Sequence, residues 1–395
     1  MKKQIYFDNA ATSWPKAKGV AQAMQTYLEE LGVNTGRGVY QKALEVSRTV
    51  YETRQQVSRL FNGSSSQNVI FTGNVTQALN MVLNGYLKAG DHVLTSGLEH
   101  NAVIRPLHQL KKNGLDYQII PGLSQNTPPG QVTRNYQMDL QALQALIRPN
   151  TKAVVLTHGS NVTGQIQPLE AVGEICRQHG LKLIVDAAQT AGTHPIDIQK
   201  NHINALCFTG HKGLRGPQGI GGFVIDQKMA QETQSTIFGG TGSSSDLLEM
   251  PDFLPDCFEA GTLNLPGIYG LNAALSLLEE SGFKQIQNQE KKLTDLFLQG
   301  LKELSGFEII YDQQAEDRCA LVSLYPTNAD AAQIASDLDR EFGIMTRVGL
   351  HCAPIAHQSI GTYPKGSLRF SFNSDNTEEE IEICLQALQM IGQRR

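Results

Sequence analysis

No apolar run in this 395-residue chain reaches the roughly 18 residues that a membrane-spanning helix needs. Charge of neither sign dominates. The formal net charge is −5, which leaves no basic field to draw the chain to nucleic acid or anionic lipid. The six cysteines are scattered without a C-x-x-C pair or metal-ligand spacing, so neither a metal site nor a disulfide framework is expected. The first residues, Met1 to Asp8, meet an acid before any long apolar stretch, unlike a secretory leader, and a cytoplasmic location is the expectation. What the chain does have is 40% hydrophobic and 18% charged residues, the balance of a globular protein with a large interior. Its length suits two domains better than one.

Short apolar runs alternate with helical patterns from about residue 65 to residue 225. Strands are expected at Val69–Thr72, His92–Thr95, Tyr117–Ile120, Ala153–Thr157, Leu183–Asp186, Leu206–Thr209 and Gly222–Ile225. Between them, Thr76–Leu87 and Leu169–His179 place apolar residues at helical spacing. This alternation implies an α/β fold, a mostly parallel sheet covered by helices on both faces, with ligands outside the carboxyl ends of the strands. Gly122–Gln137 and Gly239–Pro255 read as exposed loops. A helical pattern over Gly267–Glu280 leads to further strands near Phe307–Ile310 and Cys319–Leu324. The expected division is a large domain over residues 1–267 and a smaller C-terminal domain over 268–395.

Four segments carry chemistry, and each alone has a plainer reading. Lys212 stands in Thr209-Gly210-His211-Lys212-Gly213, a Gly-rich turn after a buried strand, where partial desolvation would make the amine usable as a nucleophile. Asp186 closes the apolar run Leu183-Ile184-Val185, where a helix cap would be the ordinary explanation. A buried acid calls for a cationic partner, and a protonated pyridine nitrogen is one. Gln189 follows one turn later, within reach of a phenolic oxygen on the same ring. Thr72-Gly73-Asn74-Val75-Thr76 offers hydroxyls and backbone donors at a strand-to-helix junction suited to phosphate, with Thr209 and His211 able to complete the cradle. His100, after the strand ending at Thr95, offers an imidazole that could cover a flat ring and move protons. Together these groups point to pyridoxal 5'-phosphate.

Glu99-His100-Asn101-Ala102-Val103, Val185-Asp186-Ala187-Ala188-Gln189, Gly210-His211-Lys212 and Phe258-Glu259-Ala260-Gly261-Thr262-Leu263-Asn264, in this order, resemble the fold-type I pyridoxal-phosphate enzymes of class V, and among them the cysteine desulfurases and selenocysteine lyases. The likeness runs from Phe7-Asp8-Asn9-Ala10-Ala11-Thr12 to Asn376-Thr377-Glu378-Glu379. It implies a seven-stranded, mostly parallel sheet in the large domain and a smaller α+β domain. It further implies that Lys212 is the lysine joined to the cofactor as an imine, that Asp186 faces the ring nitrogen, and that Gln189 faces the phenolic oxygen. His100 would stack on the ring, Val75, Thr76, Thr209 and His211 would hold the phosphate, and Asn161 would lie between cofactor and substrate carboxylate. Val75 stands where many relatives have a hydroxyl residue.

Thr346-Arg347-Val348-Gly349-Leu350-His351-Cys352-Ala353 resembles the segment that carries the catalytic cysteine in one of the two main desulfurase groups, although relatives often show two histidines where Leu350-His351 stands. A cysteine among glycine, histidine and arginine has a setting that favours a reactive thiolate. Cys207 and Cys384, set in apolar runs, read instead as buried small hydrophobes. Arg369 matches the family arginine that clamps the substrate carboxylate. The expected reaction converts L-cysteine to alanine through a persulfide on Cys352. The alternatives are L-selenocysteine as substrate, a class V aminotransferase or lyase acting on an amino acid without sulfur, and a non-catalytic persulfide carrier. The resemblance also implies a homodimer in which Arg37 and Thr262 reach the neighbouring subunit's site, and a sulfur-acceptor protein as partner.

Overall fold

The computed structural model describes residues 4–36, 38–123, 136–311 and 318–394. Arg37 and most of the expected loop Gly122–Gln137 therefore lie outside the described residues. A short strand, β1 (Ile5–Tyr6), precedes the seven strands of the larger sheet, which are β2 (Val69–Thr72), β3 (His92–Thr95), β4 (Asp116–Ile119), β5 (Thr151–Thr157), β6 (Lys182–Asp186), β7 (Ala205–Thr209) and β8 (Gly221–Ile225). They lie in the order β2-β8-β7-β6-β5-β3-β4. Every pairing is parallel except those of β8, which runs against both its neighbours. The expected mostly parallel sheet of seven strands is thus what the chain forms.

The apolar runs of the inner strands β5 to β8 are continuous because both sheet faces are covered there, whereas the edge strand β4 is only half-buried. Val154 and Leu156 of β5 and Val185 of β6 pack on one face with the helices Leu169–His179 and Leu265–Ser281. Ala153, Val155, Ile184 and Cys207 pack on the other, with the helices Val75–Tyr86 and Asn101–Lys112. Cys207 is fully buried there, as is Cys384 in another core, so both thiols fill apolar space. The chain changes direction across the sheet at β3, with β4 added outside it and β5 inside. This reversal opens a crevice at the carboxyl ends of β3 and β5, the place where open sheets of this kind bind ligands.

The second sheet contains β9 (Phe307–Ile310), β10 (Leu321–Pro326), β12 (Arg347–Gly349) and β13 (Ser367–Ser371), while β11 (Ile344–Met345) pairs in parallel with β1. Its order is β12-β13-β10-β9, antiparallel throughout. Strand β10 begins two residues later than its apolar run suggests. Residues Arg318 and Cys319 are diverted to the larger domain, where Cys319 N–H donates to Gly164 O at 2.8 Å and Arg318 bridges to Gln165. Ile268, Leu271 and Leu275 join the core of the larger sheet. Leu293, Phe297, Leu324, Phe370 and Leu388 form a separate core with Ile5 and Phe7. A boundary at residue 268 would cut the helix Leu265–Ser281, and the turn at Gly282 is the division we propose.

Candidate active site

Asp186 ends β6, and Lys212 follows β7, so adjacent parallel strands deliver both to one rim of the sheet. Asp186 is 2% exposed, and its Oδ1 accepts a hydrogen bond from Ala188 N–H at 2.9 Å. No helix begins there, so the contact closes a turn and is not a helix cap, and one neutral donor does not compensate a buried charge. Burial raises the Asp186 pKa against the opposing pull of that N–H and of Lys212. No ion pair to Asp186 occurs among the described residues.

Lys212 lies in the connection from β7 to the antiparallel β8, closed at its base by Gly210 N–H to Ile220 O at 2.9 Å. Its carbonyl accepts from Arg215 N–H at 2.8 Å. Burial lowers the amine pKa from 10.5 to about 8, partly offset by the negative charge of Asp186. Arg369 pushes the same way as burial, and Cys352 the opposite way, which places both among the groups whose charge Lys212 feels.

His100 caps the helix Asn101–Lys112, its Nδ1 accepting from Ala102 N–H at 3.0 Å. Capping and covering a ring are not alternatives here. The cap fixes the imidazole and makes Nδ1 an acceptor, so the neutral ring carries its proton on Nε2. Burial, followed by the charges of Lys212, Arg105 and Arg369, lowers the His100 pKa to about 4. The ring is neutral at physiological pH. Beside it, Glu99 is fully buried, accepting from Ser96 Oγ at 2.5 Å and from Thr157 N–H at 3.0 Å. It ties the His100 loop to the end of β5. Its pKa is raised to about 8 by burial. Glu99 had no assigned role in the sequence, although an acid placed directly before the imidazole was a visible signal.

Arg369 projects from the middle of β13 and is 2% exposed. One terminal nitrogen donates to Asn161 O at 3.0 Å and the other to Asp8 Oδ1 at 3.1 Å, while Nε is buried without a partner. Asp8, just after β1, also receives Arg347 through Nε at 2.9 Å and a terminal nitrogen at 2.7 Å. One carboxylate therefore holds two guanidinium groups. Asp8 belongs to the N-terminal motif read in the sequence, but its pairing with Arg347 and Arg369 joins residues more than 330 positions apart and carries no local signal. Asn161, in the turn after β5, reaches across to donate to His351 O at 2.7 Å.

Cys352 is exposed on a turn in which it and His351 take positive φ values of 55° and 47°. Such values are uncommon for residues with a Cβ. Asn101 N–H donates to Cys352 O at 2.7 Å, and His351 Nε2 lies 3.0 Å from Ser367 Oγ. The next residues, Pro354–Ser359, form a short helix.

Of the groups expected to hold phosphate, Val75, Thr76 and Thr209 come together beside β8. Gly221 is in register with Thr72 on one side and Thr209 on the other. A Cβ at Gly221 would lie 2.7 Å from Phe208 O and 3.0 Å from Asn74 Cα, so glycine alone allows the helix start to come this close. Asn74 caps that helix through Gln77 N–H. The first-turn N–H groups at Val75 and Thr76 have no intrahelical acceptors. Thr209 Oγ1 is buried with no hydrogen-bond partner. His211 faces the N-terminal segment instead, its Nδ1 lying 3.1 Å from Thr12 Oγ1, and burial beside Lys212 and Lys16 lowers its pKa to about 4. Gln189 Nε2 donates to Ala10 O at 3.1 Å. Thr262 is exposed before the helix Leu265–Ser281, and no hydrogen bond among the described residues joins it to the Lys212 cluster. The orphaned Thr209 hydroxyl, the uncompensated Asp186 and the amine with a depressed pKa fit the phosphate, ring nitrogen and aldehyde of pyridoxal phosphate. Among the described residues no group of three His, Cys, Asp or Glu side chains could hold a metal ion. No described helix is long and apolar enough to cross a membrane.

Residues 5–384 match the model of the class-V aminotransferase family. A probable cysteine desulfurase from Methanothermobacter thermautotrophicus is 31% identical, over 99% of this chain and 96% of its own. Among solved structures, the apo cysteine desulfurase from Thermococcus onnurineus NA1 superposes with a TM-score of 0.90 at 31% identity, covering 99% of this chain and 95% of that one. The cysteine desulfurase CsdA from Escherichia coli, in an S-sulfonic acid form, gives a TM-score of 0.85 at 27% identity, covering 98% and 94%.

Proposed function

The chain belongs to the class-V aminotransferase family, and from that membership we propose that it is a pyridoxal-phosphate-dependent cysteine desulfurase that moves the sulfur of L-cysteine onto Cys352 and releases alanine. The observation that carries this reading is the Cys352 turn. An exposed thiol on a backbone held from both sides stands near Lys212 and Arg347, a placement that a transaminase has no use for.

When bound, pyridoxal phosphate supplies an electron sink for charge developing at the α-carbon of an amino acid. Asp186 would hold the ring nitrogen in its protonated form, His100 would cover the ring, and Gln189 would face the phenolic oxygen. Val75, Thr76, Thr209 and His211 would hold the phosphate.

The remaining steps belong to the chain's own residues. Arg369 binds the substrate carboxylate, with Asn161 beside it, and Asp8 holds the guanidinium plane in place. Lys212, with a pKa of about 8, has a sizeable neutral fraction near neutrality and removes the α-proton through Nζ. Cys352 Sγ, as thiolate, attacks the substrate sulfur. A sulfur–sulfur bond forms and the carbon–sulfur bond breaks, leaving its electron pair on the β-carbon. A proton delivered there completes the methyl group, and Lys212 Nζ returns a proton to the α-carbon to give alanine. The persulfide on exposed Cys352 then passes to a thiol acceptor. A homodimer is part of the proposal, with Arg37 and Thr262 directed to the second subunit's site.

The deciding experiment is Cys352→Ala assayed with L-cysteine and with L-selenocysteine. Alanine release from cysteine is expected to stop while the visible absorbance of the bound cofactor stays. Desulfuration at the parent rate would overturn the reading.

A further inference from the structure

On the far side of the Lys212 turn lies an open cleft of about 960 Å³, walled by the N-terminal segment, by the turn Gly213–Arg215 and by the helices on either side of Gly282. Five cationic side chains line it, Lys16, Lys18, Arg215, Lys284 and Lys292, against a single acid, Asp375. Asp375 is taken by Arg215, and Lys292 is taken by Glu378. No carboxylate pairs with Lys16, Lys18 or Lys284 among the described residues. The Lys16 amine is bound by neutral oxygens alone, Thr12 Oγ1 at 3.0 Å, His211 O at 3.2 Å and Ser13 Oγ at 3.4 Å. Its pKa is lowered to about 8, first by burial and then by Arg215. A half-buried cation set beside another cation, with no carboxylate paired to it, is an incomplete arrangement. The floor is apolar, made by Leu214, Ala274, Leu277, Leu278 and Ile286. The volume is at the upper end of ordinary small-molecule sites.

We propose that this cleft binds a small molecule that carries a multivalent oxyanion, held by Lys16, Lys18, Arg215 and Lys284, and an apolar body seated on Leu214 and Leu277. The site is separate from the crevice of Asp186 and His100, yet it is joined to it through the backbone. Arg215 N–H donates to Lys212 O, and Lys16 holds His211 O. Arg215 also lines a second, small cavity of about 40 Å³ that Lys212 shares with the buried Glu290. An oxyanion that draws Arg215 from Asp375 therefore acts on the turn that positions Lys212.

The test is calorimetric titration of the cofactor-loaded protein, whose own phosphate cradle is filled, with inorganic phosphate and with phenyl phosphate at constant ionic strength. Saturable binding is expected, with phenyl phosphate about threefold tighter or more because its ring adds apolar burial. In the double variant Lys18→Gln, Lys284→Gln, whose side chains are exposed, affinity for phenyl phosphate should fall about tenfold or more, while the cofactor absorbance is unchanged. Binding is read directly and does not depend on which reaction the protein catalyses. Absence of saturable binding to the parent, or unaltered affinity in the double variant, overturns the proposal.

Discussion

The backbone N–H of Asn101 donates to the carbonyl oxygen of Cys352 at 2.7 Å, so the helix that His100 caps also holds the turn that carries the thiol. The carbonyl before it, that of His351, is held by Asn161 Nδ2 at the same distance. A helix start and a turn of the larger domain thus grip consecutive carbonyls of a turn that belongs to the smaller one. This grip is the physical reason His351 and Cys352 can remain at positive φ, a conformation that persists where surrounding contacts over-determine it.

Asn161→Ala should release one side of that grip. The His351 carbonyl would lose its partner at a cost of about 1–3 kcal/mol, and a thiol turn that wanders by even an ångström lowers turnover by about ten- to a hundredfold. Hydrogen exchange at the Asn101 amide, expected to quicken, and kcat for cysteine together check this. An unchanged exchange rate would show that the turn is held without Asn161.

Lys212 gives a pH-dependent stability with a defined sign. Its pKa falls from 10.5 to about 8 on folding, so the folded state binds the proton more weakly than the unfolded chain. The resulting destabilisation is fully present below pH 8 and disappears as the pH rises through 10.5. Lys212→Met should therefore raise the melting temperature of the cofactor-free protein at pH 7, and the gain should vanish toward pH 10.5. Melting curves across that window measure it. A gain that is flat with pH would mean the amine is not desolvated.

Thr209→Val separates folding from cofactor binding. The hydroxyl is buried without a partner, so replacing it with a methyl should leave the cofactor-free protein as stable or slightly more so. If the hydroxyl serves the phosphate, affinity for pyridoxal phosphate should drop by about three- to tenfold. Melting of the cofactor-free protein and equilibrium titration with the cofactor are read side by side. Loss of stability without loss of affinity would assign Thr209 a structural role.

Asp8→Asn removes the counter-charge shared by Arg369 and Arg347. Arg369 would be left as a buried cation facing a second one, at a cost of about 3–5 kcal/mol. Denaturant unfolding should show that loss, and KM for cysteine should rise because the guanidinium plane is no longer held. Arg369→Lys, which keeps the charge but loses the planar fork, should raise KM by about tenfold or more with a smaller loss of stability. Equal stability losses in the two variants would argue against the shared-carboxylate account.

How far the fold was legible in the chain follows from local periodicity. The strands β2 and β3 agree with their apolar runs residue for residue because burial on both faces writes continuous hydrophobic stretches, and the helix Leu169–His179 agrees because its buried residues recur at helical spacing. Where tertiary contacts competed, local reading slipped. The run starting at Cys319 enters the small sheet only from Leu321, since Gly164 and Gln165 capture the first residues. The helix Leu265–Ser281 sits with the larger core, which side-chain pattern alone does not reveal.

By itself the sequence determined the kind of chemistry. Lysine, aspartate, glutamine, histidine and cysteine at strand ends and Gly-rich turns are local signals, set by neighbours a few positions away. The tertiary structure alone decided how those groups are tuned and aimed. Desolvation of Lys212 and neutrality of His100 depend on which side chains pack around them. The clamp of Asp8 on Arg369 and the hold of Asn101 on Cys352 join positions hundreds of residues apart. The basic cleft behind Lys212 likewise exists through the meeting of the N-terminal segment with the helices around Gly282. Electrostatics and burial act through space, and a linear pattern records them only after the chain has closed upon itself.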